Sequence, residues 1–149
     1  MKTVVILDSD LNSSHPMEVV LDRRGFVVLR AGTTEEAVNL LQSAGGPVDL
    51  VIVEVPVSGS ASQTEAAVQI HRSFPEAPLL LVSDLSLDRW LEDDFLQFGQ
   101  LLSGRIDLLV KPLSQASFMS KANALIYTVS YGESKRLFES TAARRLGDA

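Results

Sequence analysis

Polar side chains of the kinds that bind phosphate and divalent cations follow or end several short apolar runs in this sequence. They are Asp8, Asp10, Glu54, Ser83 and Lys111. If the apolar runs are parallel strands, their carboxyl ends meet at one edge of the sheet, where ligands of such sheets usually bind. Carboxylates, a hydroxyl and an ammonium gathered at one edge would suit the binding of anions and metal ions.

The elements that position these residues can be predicted from the apolar runs. The run at 48–55 is almost unbroken, which is typical of a strand that is covered on both faces. Comparable runs recur along the chain with helix-like segments between them, at 3–7, 26–29, 50–53, 79–82 and 108–110. This alternation predicts a parallel sheet with helices on both faces.

Helix signals lie between the strands. The first helix is expected to begin near Ser13 or Ser14, with Pro16 in its first turn. Thr33 and Glu36 predict a capping box for the second helix. The other predicted helices cover 63–74, a stretch within 86–104, and 115–131, and a weakly patterned helix is predicted around Leu137 and Phe138. The stretch 86–104 would place Trp90, Leu91, Phe95, Phe98 and Leu102 on one stripe.

Composition limits the classes of function. A chain of 149 residues has the length of one domain, predicted at 1–131, with 132–149 as a tail or linker helix. The sequence contains no cysteine, which excludes disulfides and thiolate metal sites. A net charge of −6 argues against nucleic-acid binding by the domain itself. Without a long apolar segment or a signal peptide, a cytoplasmic protein that does not associate with a membrane is expected.

Three motifs in order resemble the receiver domains of two-component response regulators. They are Ile6-Leu7-Asp8, the run from Asp49 to Glu54, and Leu109-Val110-Lys111-Pro112-Leu113. The resemblance covers about residues 1–130. It implies a flavodoxin-like (CheY-like), doubly wound sheet of five parallel strands in the order 2-1-3-4-5. It also implies signal transduction in a phosphorelay, in which a histidine kinase phosphorylates an aspartate at the end of the third strand.

The family's site residues can be carried over position by position. Asp8 matches the first acidic, Mg²⁺-holding position, Ser9 falls on the second, and Asp10 is its neighbour. Glu54 falls on the phosphoacceptor. In the same way, Ser83 matches the hydroxyl that contacts the phosphoryl group, Lys111 matches the lysine, and Leu108 occupies the aromatic switch position.

Four departures from the family pattern fall on this one site. Glutamate carries its carboxylate about 1.5 Å further out than aspartate, and phosphoryl transfer is sensitive to such displacements. Ser9 replaces an anionic Mg²⁺ ligand, which would leave Asp8 and Glu54 if the metal is retained. Asp84 adds a carboxylate that would repel phosphate, and Leu108 lacks the ring of the switch residue. We therefore predict a pseudo-receiver without aspartyl phosphorylation, enzymatic activity or a required cofactor.

The hypothesis for the altered site is that Glu54 pairs with Lys111 and with the Ser83 hydroxyl, and so imitates a phosphorylated aspartate. The alternatives are a carboxylate with a purely structural ion pair and a working phosphoacceptor. At the level of function, the alternatives are a phosphorylation-dependent receiver and a flavodoxin-like module that binds a small ligand. The loops at 8–14 and 56–63 lack the glycine pattern that such a ligand site requires.

The resemblance also implies protein partners. These are a histidine kinase or a downstream regulator, and a homodimer through the fourth helix, fifth strand and fifth helix. The long segment between Ser83 and Lys111 predicts that the fourth helix and its loop are remodelled. The tail carries Lys135, Arg136, Arg144 and Arg145 and is expected to be a linker or to pack against the last helix of the domain.

Overall fold

A single five-stranded sheet organises the part of the chain that the structure describes. The computed structural model describes residues 2–8, 11–44, 46–55, 63–127 and 133–147. The strands are β1 (Thr3–Leu7), β2 (Val27–Ala31), β3 (Leu50–Val55), β4 (Leu79–Ser83) and β5 (Ile106–Val110). All neighbouring strands are parallel, in the order β2-β1-β3-β4-β5. The predicted flavodoxin-like sheet is therefore confirmed.

Helices connect the strands, as the alternating pattern predicts. They are α1 (Leu11–Arg23), α2 (Thr34–Ser43), α3 (Gln63–Ser73), α4 (Glu92–Gly99), α5 (Gln115–Tyr127) and α6 (Glu133–Gly147). A short 3-10 turn, Leu87–Arg89, precedes α4. None of the helices in the described ranges has the length and apolar character needed to cross a bilayer.

The sheet is buried on both faces, because its central strands are apolar at nearly every position. Alternate residues of a strand point to opposite faces. One face packs with α2, α3 and α4 and includes Val5 and Leu81. The other packs with α1 and α5 and includes Ile6 and Leu80. The site residues at the strand ends are therefore fixed from both sides by packed side chains.

Several predicted boundaries differ from the structure by a few residues. The first helix begins at Leu11, so Pro16 lies inside α1 rather than in its first turn. Strand β2 continues to Ala31, two residues beyond the predicted end. Helix α5 is described only as far as Tyr127, and residues 128–131 of its predicted length lie outside the described residues. Such differences are expected where propensity alone must fix an end.

The stretch 86–104 does not form the single helix that was predicted. A 3-10 turn is followed by extended residues, and α4 begins only at Glu92. Leu91 is therefore not on the buried stripe, and it is 62% exposed. Leu101, which was not on the predicted stripe, is fully buried. Trp90 and Phe95 are buried as predicted. The change of helix type between 87 and 92 shifts which side chains face the sheet.

The capping box of α2 is present in part. The Thr33 hydroxyl accepts a hydrogen bond from the Glu36 backbone N–H at 3.1 Å, as the motif requires. The Glu36 carboxylate reaches back to accept from the Gly32 N–H at 3.3 Å, one residue before the expected donor. Both bonds satisfy backbone donors at a helix start that would otherwise lack partners.

Candidate functional site

Four of the predicted site residues lie at the carboxyl ends of neighbouring strands. Asp8 follows β1, Glu54 is in β3, Ser83 ends β4, and Lys111 follows β5. Backbone hydrogen bonds fix two of these positions. The N–H of Asp8 donates to the Ala31 carbonyl at 2.9 Å, and that of Lys111 donates to the Ser83 carbonyl at 2.8 Å.

An ion pair joins the third and fifth strands. The Lys111 ammonium donates to Glu54 Oε2 at 3.0 Å. The side chain of Glu54 is 9% exposed and that of Lys111 is 34% exposed, so the pair lies at the mouth of the site. A charge-assisted hydrogen bond in a partly desolvated place is stronger than a neutral bond on the surface. The predicted contact between Glu54 and Lys111 is therefore formed.

The Ser83 hydroxyl belongs to a different set of contacts. It donates to the Leu85 carbonyl at 2.7 Å and accepts from the Leu85 N–H at 3.1 Å. It also accepts from the indole Nε1–H of Trp90 at 3.2 Å. That indole N–H is shared with the Leu85 carbonyl at 2.9 Å. Ser83 is fully buried within this arrangement.

The predicted contact between the Ser83 hydroxyl and Glu54 is therefore wrong for this structure. A hydroxyl has one proton to donate, and here the Leu85 carbonyl receives it. The strand register gives the reason. Glu54 pairs with Val82, and Ser83 is the next residue along β4, so the two side chains leave the sheet on opposite faces.

The remaining predicted positions are distributed around the site. Asp84 is exposed directly after β4. Leu108 is buried in the cluster that also contains Trp90 and Phe98, so the switch position is filled by an aliphatic core residue. Ser9 and Asp10 lie outside the described residues. Asp8 is 4% exposed and directly follows β1.

Among the described residues, two buried carboxylates are the candidate ligands for a divalent cation. No group of three or more histidine or carboxylate side chains with metal-binding geometry is found among them. Asp8 and Glu54 are the buried carboxylates of the site, and an ammonium already contacts Glu54. The Lys111 ammonium would compete with a divalent cation for that carboxylate.

The role of Trp90 was not predicted from the sequence. The sequence indicates a core residue, which it is, with an edge-to-face contact to Phe98 at 5.6 Å between ring centroids. Its indole N–H is what connects it to the site. A buried tryptophan usually has a hydrogen-bond acceptor for this N–H. From the sequence, this general rule could have indicated a polar partner, but not which one.

Comparison with known proteins places the fold among receiver domains. No family model matches the chain. The transcriptional regulatory protein AruR of Pseudomonas aeruginosa is 26% identical over 148 residues, which are 97% of this chain and 57% of the relative. This chain thus spans a little over half of the length of that relative.

Solved structures agree with this comparison. A response regulator receiver domain protein from Clostridium thermocellum covers 85% of this chain and 94% of its own, with a TM-score of 0.68 and 16% identity. The response regulator TrrA of Thermotoga maritima, in complex with Mg²⁺–BeF, gives a TM-score of 0.65 and 23% identity over 84% of this chain and 99% of its own. The predicted resemblance is thereby confirmed, and this chain has the fold of the response regulator receiver domains.

Proposed function

We propose that this domain is a receiver-type signalling module that acts through protein–protein contact without the usual aspartyl phosphorylation. The receiver fold supports the first part of the proposal. The ion pair between Glu54 and Lys111 supports the second part. In the receiver pattern the lysine contacts a phosphoryl group. Here the Lys111 ammonium already contacts the Glu54 carboxylate.

This ion pair is the observation that carries the proposal. Glu54 brings its charge to Lys111 through its own longer side chain, so no modification is required to bring β3 and β5 into contact. The pair therefore holds the site in one setting. In that setting Ser83 is bonded to Leu85 and Trp90, so Glu54 reproduces the lysine contact of a phosphorylated aspartate but not its serine contact.

Electrostatics also disfavour phosphate at this site. Asp8 and Glu54 are both buried carboxylates, and the exposed Asp84 directly follows β4. A phosphate dianion entering this edge would meet negative charge and would have to displace Glu54 from Lys111. Repulsion between like charges and the loss of an ion pair would both oppose that exchange.

One alternative has specific support. A phosphorylation-dependent receiver would use Asp8, Ser83 and Lys111 in their usual roles, and all three residue types are present at the expected strand ends. The similar protein TrrA is described in complex with Mg²⁺–BeF. The choice between the two functions therefore depends on whether residue 54 accepts a phosphoryl group.

Incubation with acetyl phosphate and Mg²⁺, followed by intact-mass spectrometry, tests the proposal. The wild-type chain is expected to show no added phosphoryl group, because the longer Glu54 side chain carries its carboxylate beyond the place of an aspartate carboxylate and bonds Lys111. An aspartate-containing receiver domain provides the positive control, and Glu54→Gln provides the matched negative control. Stable phosphorylation that is present in the wild type and absent from Glu54→Gln would establish the alternative.

The partners in this proposal are proteins: a histidine kinase, a downstream regulator or a second copy of the chain. The candidate dimer surface is formed by α4, β5 and α5. Part of that surface is covered by α6, so a dimer of this kind would form beside α6 or would displace it. A pull-down with wild type and Glu54→Gln is expected to show weaker partner capture by the variant if the ion pair sets the recognised conformation.

A further inference from the structure

Helix α6 presents one face to the domain. Residues spaced by three and four along a helix share a face. Those that face the domain on α6 are Phe138, Thr141, Ala142 and Arg145. Thr141 is fully buried, whereas Leu137 and Leu146 on other faces are 38% and 78% exposed. The tail is therefore packed on the domain, against the 3-10 turn, α4 and β5.

The Phe138 ring packs against α4. Its ring stacks on Phe95 with 4.7 Å between centroids and 16° between planes. A side chain at Gly99 would come within 2.9 Å of the Phe138 ring, so the glycine permits this close approach. The aromatic contact extends to Phe98, whose ring centroid lies 6.2 Å away. Stacked aromatic pairs contribute beyond the area that they bury.

Arg145, two turns later, holds the segment before α4. Its guanidinium donates to the Trp90 carbonyl at 2.9 Å and to the Leu87 carbonyl at 3.3 Å. It also lies 4.4 Å from the centroid of the Phe95 ring, within the range of a cation–π contact.

Trp90 contacts both α6 and Ser83. Its carbonyl binds Arg145, and its indole N–H binds the Ser83 hydroxyl. The same residue thus has a hydrogen bond to each of the two places. A change in the position of the Ser83 hydroxyl would remove one of the two acceptors of the indole N–H. A change at the Trp90 backbone would remove an acceptor of Arg145.

We propose that α6 is an internal ligand of the α4 surface, and that its docking is coupled to the Ser83 hydroxyl through Trp90. When the hydroxyl bonds Leu85 and Trp90, the segment 87–90 presents its carbonyls to Arg145 and α6 is docked. When the hydroxyl no longer bonds the indole N–H, Trp90 loses one of its two acceptors and α6 is released more often.

Release of α6 would uncover Phe95 and Phe98 together with the carbonyls of Leu87 and Trp90. This surface fits a helix that carries an aromatic residue and, seven positions later, an arginine, because that is what α6 supplies. The tail would then compete with a partner helix of the same chemistry. Competition of this kind requires no new contact, only a shift in the fraction of docked tail.

Hydrogen exchange of α6 amides, with the β1 amides as the reference for global unfolding, tests the coupling. Ser83→Ala removes one acceptor of the indole N–H and is expected to raise the open fraction of α6 about 3- to 10-fold, the worth of one hydrogen bond. Arg145→Gln is expected to raise it by about 10-fold or more, since charge-assisted bonds are lost. Arg136→Gln, an exposed position on the same helix, is the matched control and is expected to have no effect.

Each outcome decides the proposal. Faster exchange in both Ser83→Ala and Arg145→Gln, with unchanged β1 exchange, supports coupled docking. Faster exchange in Arg145→Gln alone would show a docked tail that does not respond to Ser83, and would overturn the coupling. No change in either variant would overturn the docking itself. These results do not depend on phosphorylation of residue 54, so the proposed function can fail separately.

The single tryptophan of the chain gives an independent readout. Trp90 is 3% exposed, and its fluorescence reports on the contact that links Ser83 to α6. In Ser83→Ala and Arg145→Gln its emission maximum is expected to move to longer wavelength as the indole gains water. An emission spectrum that is identical to that of the wild type in both variants would contradict the proposed role of Trp90.

Discussion

Glu54 has one methylene more than an aspartate would have, and this added length bears on its contact with Lys111. Glu54 lies near the carboxyl end of β3, and its side chain places a carboxylate oxygen 3.0 Å from the Lys111 ammonium. The contact is partly shielded from water because Glu54 is buried. In this environment an ion pair contributes more than the near-zero value typical of exposed pairs. The residue type at position 54 thus allows a direct contact between β3 and the lysine that follows β5.

Removal of Lys111 tests the strength of this contact. Lys111→Met retains most of the aliphatic stem and removes the ammonium, and is expected to lower the free energy of unfolding by about 1–2 kcal/mol. Stability falls because the buried Glu54 carboxylate loses a charged partner. The loss is moderate because the Lys111 side chain is partly exposed to water. Urea denaturation followed by circular dichroism measures the change.

Lys2→Met is the comparison for this experiment. Lys2 pairs with Asp49 at 3.6 Å, and its side chain is 46% exposed. Its loss is expected to cost at most about 0.5 kcal/mol, as is usual for exposed ion pairs. If the two variants lost the same free energy of unfolding, the contact between Glu54 and Lys111 would contribute no more to stability than a surface ion pair.

The sequence predicted which residues gather at the site but not all of their contacts. Spacing alone placed Asp8, Glu54, Ser83 and Lys111 at strand ends, because parallel strands bring their carboxyl ends to one edge. The partner of Ser83 depends on the register between β3 and β4, which the sequence does not specify. The link from Ser83 to Trp90 depends in addition on a 3-10 turn whose geometry follows from tertiary packing.

At the scale of elements, local signals were most reliable where a side chain satisfies backbone groups. The α2 cap is such a case, since Thr33 accepts from the Glu36 N–H. Thr33→Ala removes the acceptor and is expected to lower the free energy of unfolding by about 1 kcal/mol. Thermal or urea unfolding of the purified domain measures this loss.

Two further variants control the cap experiment. Thr33→Ser keeps an oxygen acceptor and is expected to retain the stability of the wild type within a few tenths of a kcal/mol. Ser43→Ala, at the other end of α2, removes a hydroxyl that only bonds the Asn39 carbonyl within the exposed helix. A loss in Thr33→Ser as large as that in Thr33→Ala would show that the hydroxyl is not the stabilising group.

Apolar periodicity was less informative in the segment that precedes β5. The pattern of 86–104 is consistent with one amphipathic helix, and the structure divides it into a 3-10 turn, an extended link and α4. Tertiary contacts explain the division, because the Arg145 guanidinium bonds the carbonyls of Leu87 and Trp90 from another helix. A contact between residues more than 50 positions apart leaves no periodic signal in the local sequence.

At the scale of the whole molecule, the strand order follows from the alternation of strands and helices, and the core follows from the apolar strands. A parallel sheet with helices on both faces requires two separate layers of packed side chains. The structure has these layers, with Ile6 in one and Leu81 in the other, each fully buried. The stability of the domain is therefore divided between two clusters that share only the sheet backbone.

This division predicts that truncations on the two faces are both costly and act independently. Ile6→Ala and Leu81→Ala are each expected to lower the free energy of unfolding by about 2–5 kcal/mol. Strand β3 separates β1 from β4, which places the two residues about 10 Å apart. The losses in the double variant are therefore expected to add within about 0.5 kcal/mol.

Leu96→Ala serves as the control for the two-cluster experiment, because Leu96 lies on α4 and is 55% exposed. It is expected to change stability by less than about 0.5 kcal/mol. Urea unfolding of the four variants, with the m-value as a check on two-state behaviour, provides the measurement. A truncation on either face that costs no more than Leu96→Ala would show that this face is not packed. A strongly non-additive double variant would show that the two clusters act as a single core, since only shared contacts couple distant substitutions.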